Sequence, residues 1–487
     1  MKKYISCCWI GFLCLLSISC HDFFKESSQD EIIPSTVEDL RAVLYSEAYP
    51  YTLGTYDTYL LLLTDEIQCN GLKHNNYVAV HENGTPVFTF NPEMFDGVEV
   101  FPDEANGWKA YYKQIMGCNV ILDQVEEISG NEQEKAALKA QALLLRSFYY
   151  MKLAMIYCQP YNGEGVNPEI ALGLPLMLTM EITDDFPKRS SLKALYDQIE
   201  KDLLAAAAML KENEEYLPGN VYRVNPVAAY VLLSRFYLYK GDDTSLNESI
   251  KYAGLAIEKG PLLTFLRNIP NGKSIYDTDA SSEVVWTYGA ASTFKHAIYF
   301  GSNRYSGAMP WTVSNKFMTL YDAENDLRYK TYFQISTGEV YGNKVGWNTF
   351  NGSDRGIRMA EAYLNRAEAL TRRFVKSGNE TDRVEALKCL NDLRETRFVE
   401  GTYVNEDITD GNKLLAFCLE ERQRELCLEE GFRWYDIKRL GLSVSHSYID
   451  AEGIAHEYVL ESNSPLYALP IPKDAIDRNY QLEQNPR

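Results

Sequence analysis

The feature that most constrains this chain is a spacing of small and aromatic residues that recurs in paired helical segments. One pair reads Leu238-Tyr239-Lys240-Gly241-Asp242, then Ser249-Ile250-Lys251-Tyr252-Ala253 and Ala256-Ile257. Another reads Ala360-Glu361-Ala362-Tyr363-Leu364-Asn365-Arg366-Ala367-Glu368-Ala369, then Glu385-Ala386-Leu387-Lys388-Cys389-Leu390. Small residues let two helices approach closely, aromatic ones fill the remaining gaps, and stacked hairpins then bury one continuous core. The spacing is that of tetratricopeptide hairpins, though its period is irregular. It predicts a mainly α chain, a degenerate helical-repeat scaffold interrupted by loop-rich segments.

Helices are predicted over 108–128, 132–158, 191–210, 225–240, 248–258, 356–374, 383–398 and 413–430. Within 132–158 the apolar residues Ala140, Leu144, Phe148, Met151, Met155 and Cys158 fall three and four apart, on one helix face. Ser190-Ser191 can cap the third of these helices, and Asn225-Pro226 opens the fourth with proline in its first turn. From about 260 to 355 the chain turns to Gly, Asn, Ser and aromatic residues, with short strand-like runs such as 284–288. A second loop-rich stretch covers about 70–107.

The amino terminus carries an address. Met1-Lys2-Lys3 is basic, residues 5–16 are largely apolar, and Ser17-Ile18-Ser19 leads into Cys20. A basic start, a short apolar core and small residues before a cut site make a secretory signal. That core is too short for a permanent membrane helix, and no later apolar stretch approaches the needed length. A cysteine directly after the small residues is the pattern of a bacterial lipoprotein, whose thiol is acylated. Ser17 stands where a leucine is usual, with Leu16 one step further out, so an ordinary secretory signal cut near Ser19 is the alternative. The expected organisation is a signal over 1–19, lipidation at Cys20, an acidic tether over 20–36 and one domain over 37–487.

The net charge of −20 over 487 residues repels phosphate backbones, which disfavours nucleic acid as a partner. Of ten cysteines, Cys7, Cys8 and Cys14 leave with the signal and Cys20 takes lipid. The rest (Cys69, Cys118, Cys158, Cys389, Cys418, Cys427) form no CxxC pair and read as buried free thiols, with one accidental disulfide possible. Six histidines without an HExxH-type spacing point to no zinc site, and no cofactor is implied. Tyrosine stands out at 35 residues; it suits packing between helices and stacking on sugars equally well.

Four blocks then resemble the SusD/RagB-like outer-membrane lipoproteins. They are Leu145-Arg146-Ser147-Phe148-Tyr149-Tyr150-Met151-Lys152-Leu153 with Gly173-Leu174-Pro175-Leu176; Arg223-Val224-Asn225-Pro226 continuing through Arg235 to Tyr239; Glu421-Arg422-Gln423-Arg424-Glu425 continuing through Glu429-Glu430-Gly431-Phe432-Arg433-Trp434-Tyr435-Asp436; and Leu469-Pro470-Ile471-Pro472 with Gln484-Asn485-Pro486. The third block carries an extra Glu430 before its glycine. The resemblance implies a right-handed α-α superhelix of tetratricopeptide-like hairpins with an irregular ligand-binding face, and no catalysis. It implies a lid over a SusC-like TonB-dependent transporter, to which a bound glycan, or a peptide in the RagB branch, is passed. A structural assembly protein of the cell surface is a further reading.

Glu421 and Glu425 lie one helical turn apart and could suggest a glycosidase pair, which needs one protonated and one ionised carboxyl. Arg422, Arg424 and Arg433 close by would keep both ionised, so a structural ion-pair network is favoured, with Trp434 in the core. Asp322-Ala323-Glu324-Asn325-Asp326 lacks the alternation and glycine of a calcium loop and reads as a solvated turn. Asp65-Glu66 reads as a helix end. Ligand contacts are expected instead on loops held by the helices. Exposed rings stack on sugar faces and amides bond the hydroxyls, so Tyr77, Phe95, Tyr305, Trp311 and Trp347, with Asn303 and Arg304, are the candidates.

Overall fold

The computed structural model describes residues 34–50, 58–95, 107–181, 186–288, 309–342, 344 and 355–487. Cys20 and the first 33 residues lie outside that set. Helix α1 (Val37–Val43) starts at a capping box, in which the Thr36 side chain accepts from the Asp39 N–H and the Asp39 carboxylate accepts from the Thr36 N–H. The later helices are α2 (Val78–Phe88), α3 (Gly107–Gln124), α4 (Glu132–Tyr157), α5 (Leu192–Glu212), α6 (Pro226–Lys240) and α7 (Asp243–Lys259). After the strand-rich middle come α8 (Met359–Ser377), α9 (Glu380–Glu395), α10 (Gly411–Leu426) and α11 (Phe432–Arg439).

Neighbouring helices from α3 to α7 pack in succession, and α8 lies against α6, α7, α9 and α10. This is the mainly α, tetratricopeptide-like stack that the spacing predicts. The hairpin of α6 and α7 shows how sequence sets it. Asn225 caps α6 through the Ala228 N–H, Pro226 fills the first turn, and Gly241 ends the helix at φ 75°. Asp242 then caps α7 through the Ser245 N–H, so α7 begins five residues before the predicted start at 248. In α4 every residue from Ala140 onward is buried, which marks it as the central helix. Its Arg146 donates to Asp202 of α5 at 2.8 and 3.1 Å and to Asn119 of α3 at 2.9 Å.

Beside these helices and a few shorter helical turns, eight short strands pair in two-stranded antiparallel sheets: β1 (Ile67–Cys69) with β3 (Trp311–Val313), β2 (Val284–Tyr288) with β6 (Arg355–Arg358), β4 (Phe333–Ser336) with β5 (Glu339–Gly342), and β7 (Val444–Ile449) with β8 (Ala455–Leu460).

Three expectations need correcting. The helix predicted from 356 begins only at Met359, because Gly356 and Ile357 pair with Thr287 and Trp286; a Cβ on Gly356 would lie 2.1 Å from the Trp286 carbonyl oxygen. The helix predicted to run to 430 stops at Leu426, where Leu428, Glu430 and Gly431 turn the chain through left-handed conformations (φ 60°, 56° and 80°) into α11. Residues 78–88, read as loop, form α2 although they contain Gly84 and Pro86. All six described cysteines are buried and free. Among the described residues, no helix is long and apolar enough to cross a membrane.

Candidate functional site

A cleft of about 460 Å³ opens where three distant parts of the chain meet: β1, the turn after β3, and β7. Strand β1 is set by its register with β3 (Ile67 opposite Val313, Cys69 opposite Trp311), and the Ser314 N–H donates to the Glu66 carbonyl at 2.7 Å. Strand β7 is held beside β1 where the Ile449 N–H donates to Cys69 Sγ at 3.4 Å. Its side chains alternate as the pleat requires. Val444, His446 and Tyr448 point inward, while Ser445 and Ser447 are exposed. Ile67, Cys69, Val444 and His446 form the floor, and Asp65, Gln68, Ser314, Lys316 and the exposed serines form the polar wall.

Under the floor lies a continuous stack of rings. Tyr448 stacks on His81 (5.5 Å between centroids), His81 on Trp311 (5.6 Å), Phe88 packs on Trp311 (4.8 Å) and under His446 (4.0 Å), and His446 stacks on Phe90 (4.6 Å). The stack pins α2 between β3 and β7. His446 is locked at both nitrogens, with Nδ1 2.7 Å from the Phe88 carbonyl and Nε2 3.0 Å from the Thr64 carbonyl. Burial lowers its pKa below the usual histidine value, while the two carbonyls favour the protonated ring.

This arrangement corrects the reading of Trp311 as a sugar platform. The residue is 0 % exposed, and its Nε1–H donates to the Val80 carbonyl at 2.9 Å. Tyr77 is likewise interior, 6 % exposed in a small cluster with Met309 and Tyr341. Each sits on a segment that reads as loop, yet each ring fastens that segment to the core. Phe95 is half-buried, edge-on to Tyr59 at 5.4 Å. Asn303, Arg304, Tyr305 and Trp347 lie outside the described residues. The sequence reading passed over the polar wall, although Val444-Ser445-His446-Ser447-Tyr448 carries the two-residue alternation of a half-buried strand. It also passed over Phe186 and Tyr480, an exposed edge-to-face pair at 5.3 Å.

Behind the cleft the third block forms a buried ionic hub. Glu425 accepts from Arg358 (2.9 Å), from Arg397 (2.9 and 3.0 Å) and from Arg328 (3.1 Å). Glu421 accepts from Arg328 and Arg424 at 2.7 and 2.9 Å, and from Arg394. Burial alone would raise both carboxyls, but these guanidiniums hold both below the usual carboxylate range. The pair is therefore ionised and enclosed, as expected, although its partners come mainly from outside the block. Arg422 binds Asp436, and Arg433 binds Asp65 through both oxygens. Trp434 is in the core. In the acidic turn, Asp322 accepts from the Glu324 and Asn325 N–H groups, and Asp326 is taken by Arg328.

Glu66 differs from these carboxylates. It is fully buried, its Oε2 accepts from the Leu428 N–H at 3.1 Å, and its Oε1 has no hydrogen-bond partner. Burial outweighs the pull of Arg433 and pushes its pKa up to about 8.

A helical stack of this kind, carrying the four blocks in order, is the architecture that the SusD/RagB-like resemblance implies, and comparison with known proteins agrees. The chain belongs to the SusD/RagB-like family. Residues 75–238 match the family profile described as "Starch-binding associating with outer membrane", and residues 314–487 match the SusD family. Among solved structures, a proposed sugar-binding protein from Bacteroides vulgatus is 26 % identical, with a TM-score of 0.71 over 94 % of this chain and 99 % of that one. A SusD superfamily protein from Bacteroides thetaiotaomicron shares 23 % identity and a TM-score of 0.71, over 93 % of this chain and all of its own. A SusD-like carbohydrate-binding protein from Bacteroides vulgatus shares 19 % identity and a TM-score of 0.68, over 92 % and 98 % of the two chains. The last two establish the fold alone. No curated protein matches the chain.

Proposed function

We propose that this protein is a cell-surface lipoprotein of the outer membrane, anchored through Cys20, that binds an oligosaccharide and hands it to a SusC-like TonB-dependent transporter. The observation that carries the reading is the 26 % identity to a proposed sugar-binding protein across nearly the full length of both chains, alongside the two family matches. The work is capture and handover, with no bond broken. The carboxylate pair that most resembles an acid/base dyad is ionised and sealed from solvent, which supports that part of the reading. Ligand contacts are assigned to the cleft, to the half-buried Phe95, and to Asn303, Arg304, Tyr305 and Trp347.

The test is titration calorimetry of the purified protein against a panel of glycans and peptides. At least one glycan should bind and remain unshortened on incubation. A peptide that binds where every glycan fails moves the reading to the RagB-like peptide branch. Mass spectrometry should find acyl chains on Cys20, and extraction from membranes should recover a barrel partner. Its absence would favour an assembly role.

A further inference from the structure

We infer that the cleft beside β7 receives a carboxylate-bearing sugar, a uronic acid residue of a glycan, with Lys316 binding the carboxylate and Ser445 and Ser447 binding ring hydroxyls. The inference rests on the glycan-binding reading above and narrows its ligand class.

Most polar groups of the cleft are already taken, and three are not. Gln68 is occupied, its amide donating to Asn70 and its carbonyl accepting from the Asn315 N–H. Ser314 accepts from the Phe317 N–H, and Ser443 donates to the Leu460 carbonyl. The side chains of Lys316, Ser445 and Ser447 are exposed and, among the described residues, have no hydrogen-bond or ion-pair partner. A ligand in the cleft therefore meets one unclaimed cation and two unclaimed hydroxyls. On an extended strand the two serines stand roughly 7 Å apart on one face, comparable to the width of a pyranose ring.

Charge selects the ligand next. The acidic group in the wall, Asp65, is neutralised by Arg433 at 2.6 and 2.7 Å, with Gln423 also donating to it at 3.2 Å. Among the charged side chains that line the cleft this leaves the Lys316 ammonium unpaired, while Glu457 stands opposite Ser447 in the β7–β8 register. Stacking is not on offer in the cleft. Its one aromatic wall residue besides His446 is Phe88, which is 1 % exposed and already sandwiched between rings. The volume of about 460 Å³ is of small-ligand size. A polyol with an anionic substituent meets these conditions; a neutral sugar leaves the ammonium unused.

The experiment titrates the full-length protein in detergent with oligogalacturonate, oligomannuronate, the same oligosaccharides after carboxyl reduction, neutral glucan oligosaccharides, and peptides with free C-terminal carboxylates. A uronate oligosaccharide should bind, and carboxyl reduction should weaken it at least tenfold. Lys316→Ala should match that loss, Lys316→Arg should restore most of it, and Ser445→Ala with Ser447→Ala should cost several-fold. Circular dichroism should be unchanged throughout, since all three side chains are exposed. Neutral glucan binding as tightly as uronate, or Lys316→Ala without effect, overturns the inference while leaving the glycan reading intact. Peptide binding with every glycan silent overturns both, and silence of every probe overturns the inference.

Discussion

From α3 to α7, neighbours in space are neighbours in sequence: α6 hands over to α7 through Gly241 and Asp242 alone. Around the cleft the opposite holds. Cys69 meets Ile449 across 380 residues, Leu428 donates to Glu66 across 362, and His446 reaches Thr64 across 382. Local contacts form with little loss of chain entropy, whereas the face must first close very long loops. The scaffold can thus hold itself together hairpin by hairpin, while the face persists only as long as its distant parts stay docked. The ionic hub of the third block lies between the two regions, so losing it should loosen both.

Glu425→Ala should produce the largest effect. It removes the acceptor shared by Arg328, Arg358 and Arg397, which join α10 to β6 and to the chain after α9. Stranding buried charges costs about 3–5 kcal/mol. Urea denaturation should show that loss in one transition in which helical signal and tryptophan fluorescence fall together. A loss under about 1 kcal/mol, or two separated transitions, would mean that the hub does not tie the regions.

Trp311→Ala breaks the face alone. Deleting a fully buried indole costs about 3–5 kcal/mol, and part of that is absorbed by local undocking. Gly84→Ala attacks the same contact from the other side, since its Cβ would lie 2.6 Å from the Trp311 ring; overpacking of this kind costs about 1–3 kcal/mol. In both variants hydrogen exchange should accelerate in α2, β3 and β7 while α6 and α7 keep wild-type protection. Acceleration spread evenly over α6 and α7 would erase the distinction between the regions.

The same contrast explains what the sequence made legible. Helix spacing, Asn225-Pro226 and Gly241-Asp242 are local signals, and they located the hairpins closely. Glu421 and Glu425 were readable as an ion-pair site because arginines crowd them, yet the partners Arg328, Arg358 and Arg397 are placed by tertiary contact and left no local trace. Trp311 and Tyr77 misled for a related reason. An aromatic residue among Gly, Asn and Pro looks the same whether its ring meets solvent or anchors the segment, and here distant partners decide: His81 and Phe88 for Trp311, Met309 and Tyr341 for Tyr77. The segment 444–448 did carry a strand signal, but nothing local says that its serines would line one cleft with Lys316.

Glu66 offers a subtler probe of the junction. Its folded pKa of about 8 lies above the ordinary glutamate value, so between these two values the unfolded state ionises while the folded state stays protonated. The unfolded state then binds fewer protons, and this group's contribution to stability falls as pH rises, by about 1.4 kcal/mol per unit, levelling off above about 8. Below the unfolded value both states are protonated and nothing is lost. Glu66→Gln should therefore match wild type near pH 4 and exceed it progressively up to pH 8 in denaturation experiments. A constant difference across that range would show that the carboxyl is ionised in the fold.

The smallest effect is one of rate, and it compares the regions with no substitution at all. Cys69 and Cys427 belong to the face and its junction, whereas Cys118, Cys389 and Cys418 lie in α3, α9 and α10. Burial raises the pKa of every one of these thiols, so each is inert until its surroundings open. Labelling under native conditions then reports the free energy of local opening. A face closed by long loops should open at a lower free energy than helices fixed by adjacent hairpins. Peptide mapping after a timed pulse of a thiol reagent should find Cys69 modified first, Cys427 next and the three helical thiols last. Equal rates at all five sites would mean that the molecule opens as a single unit and that the face is as stable as the scaffold beneath it.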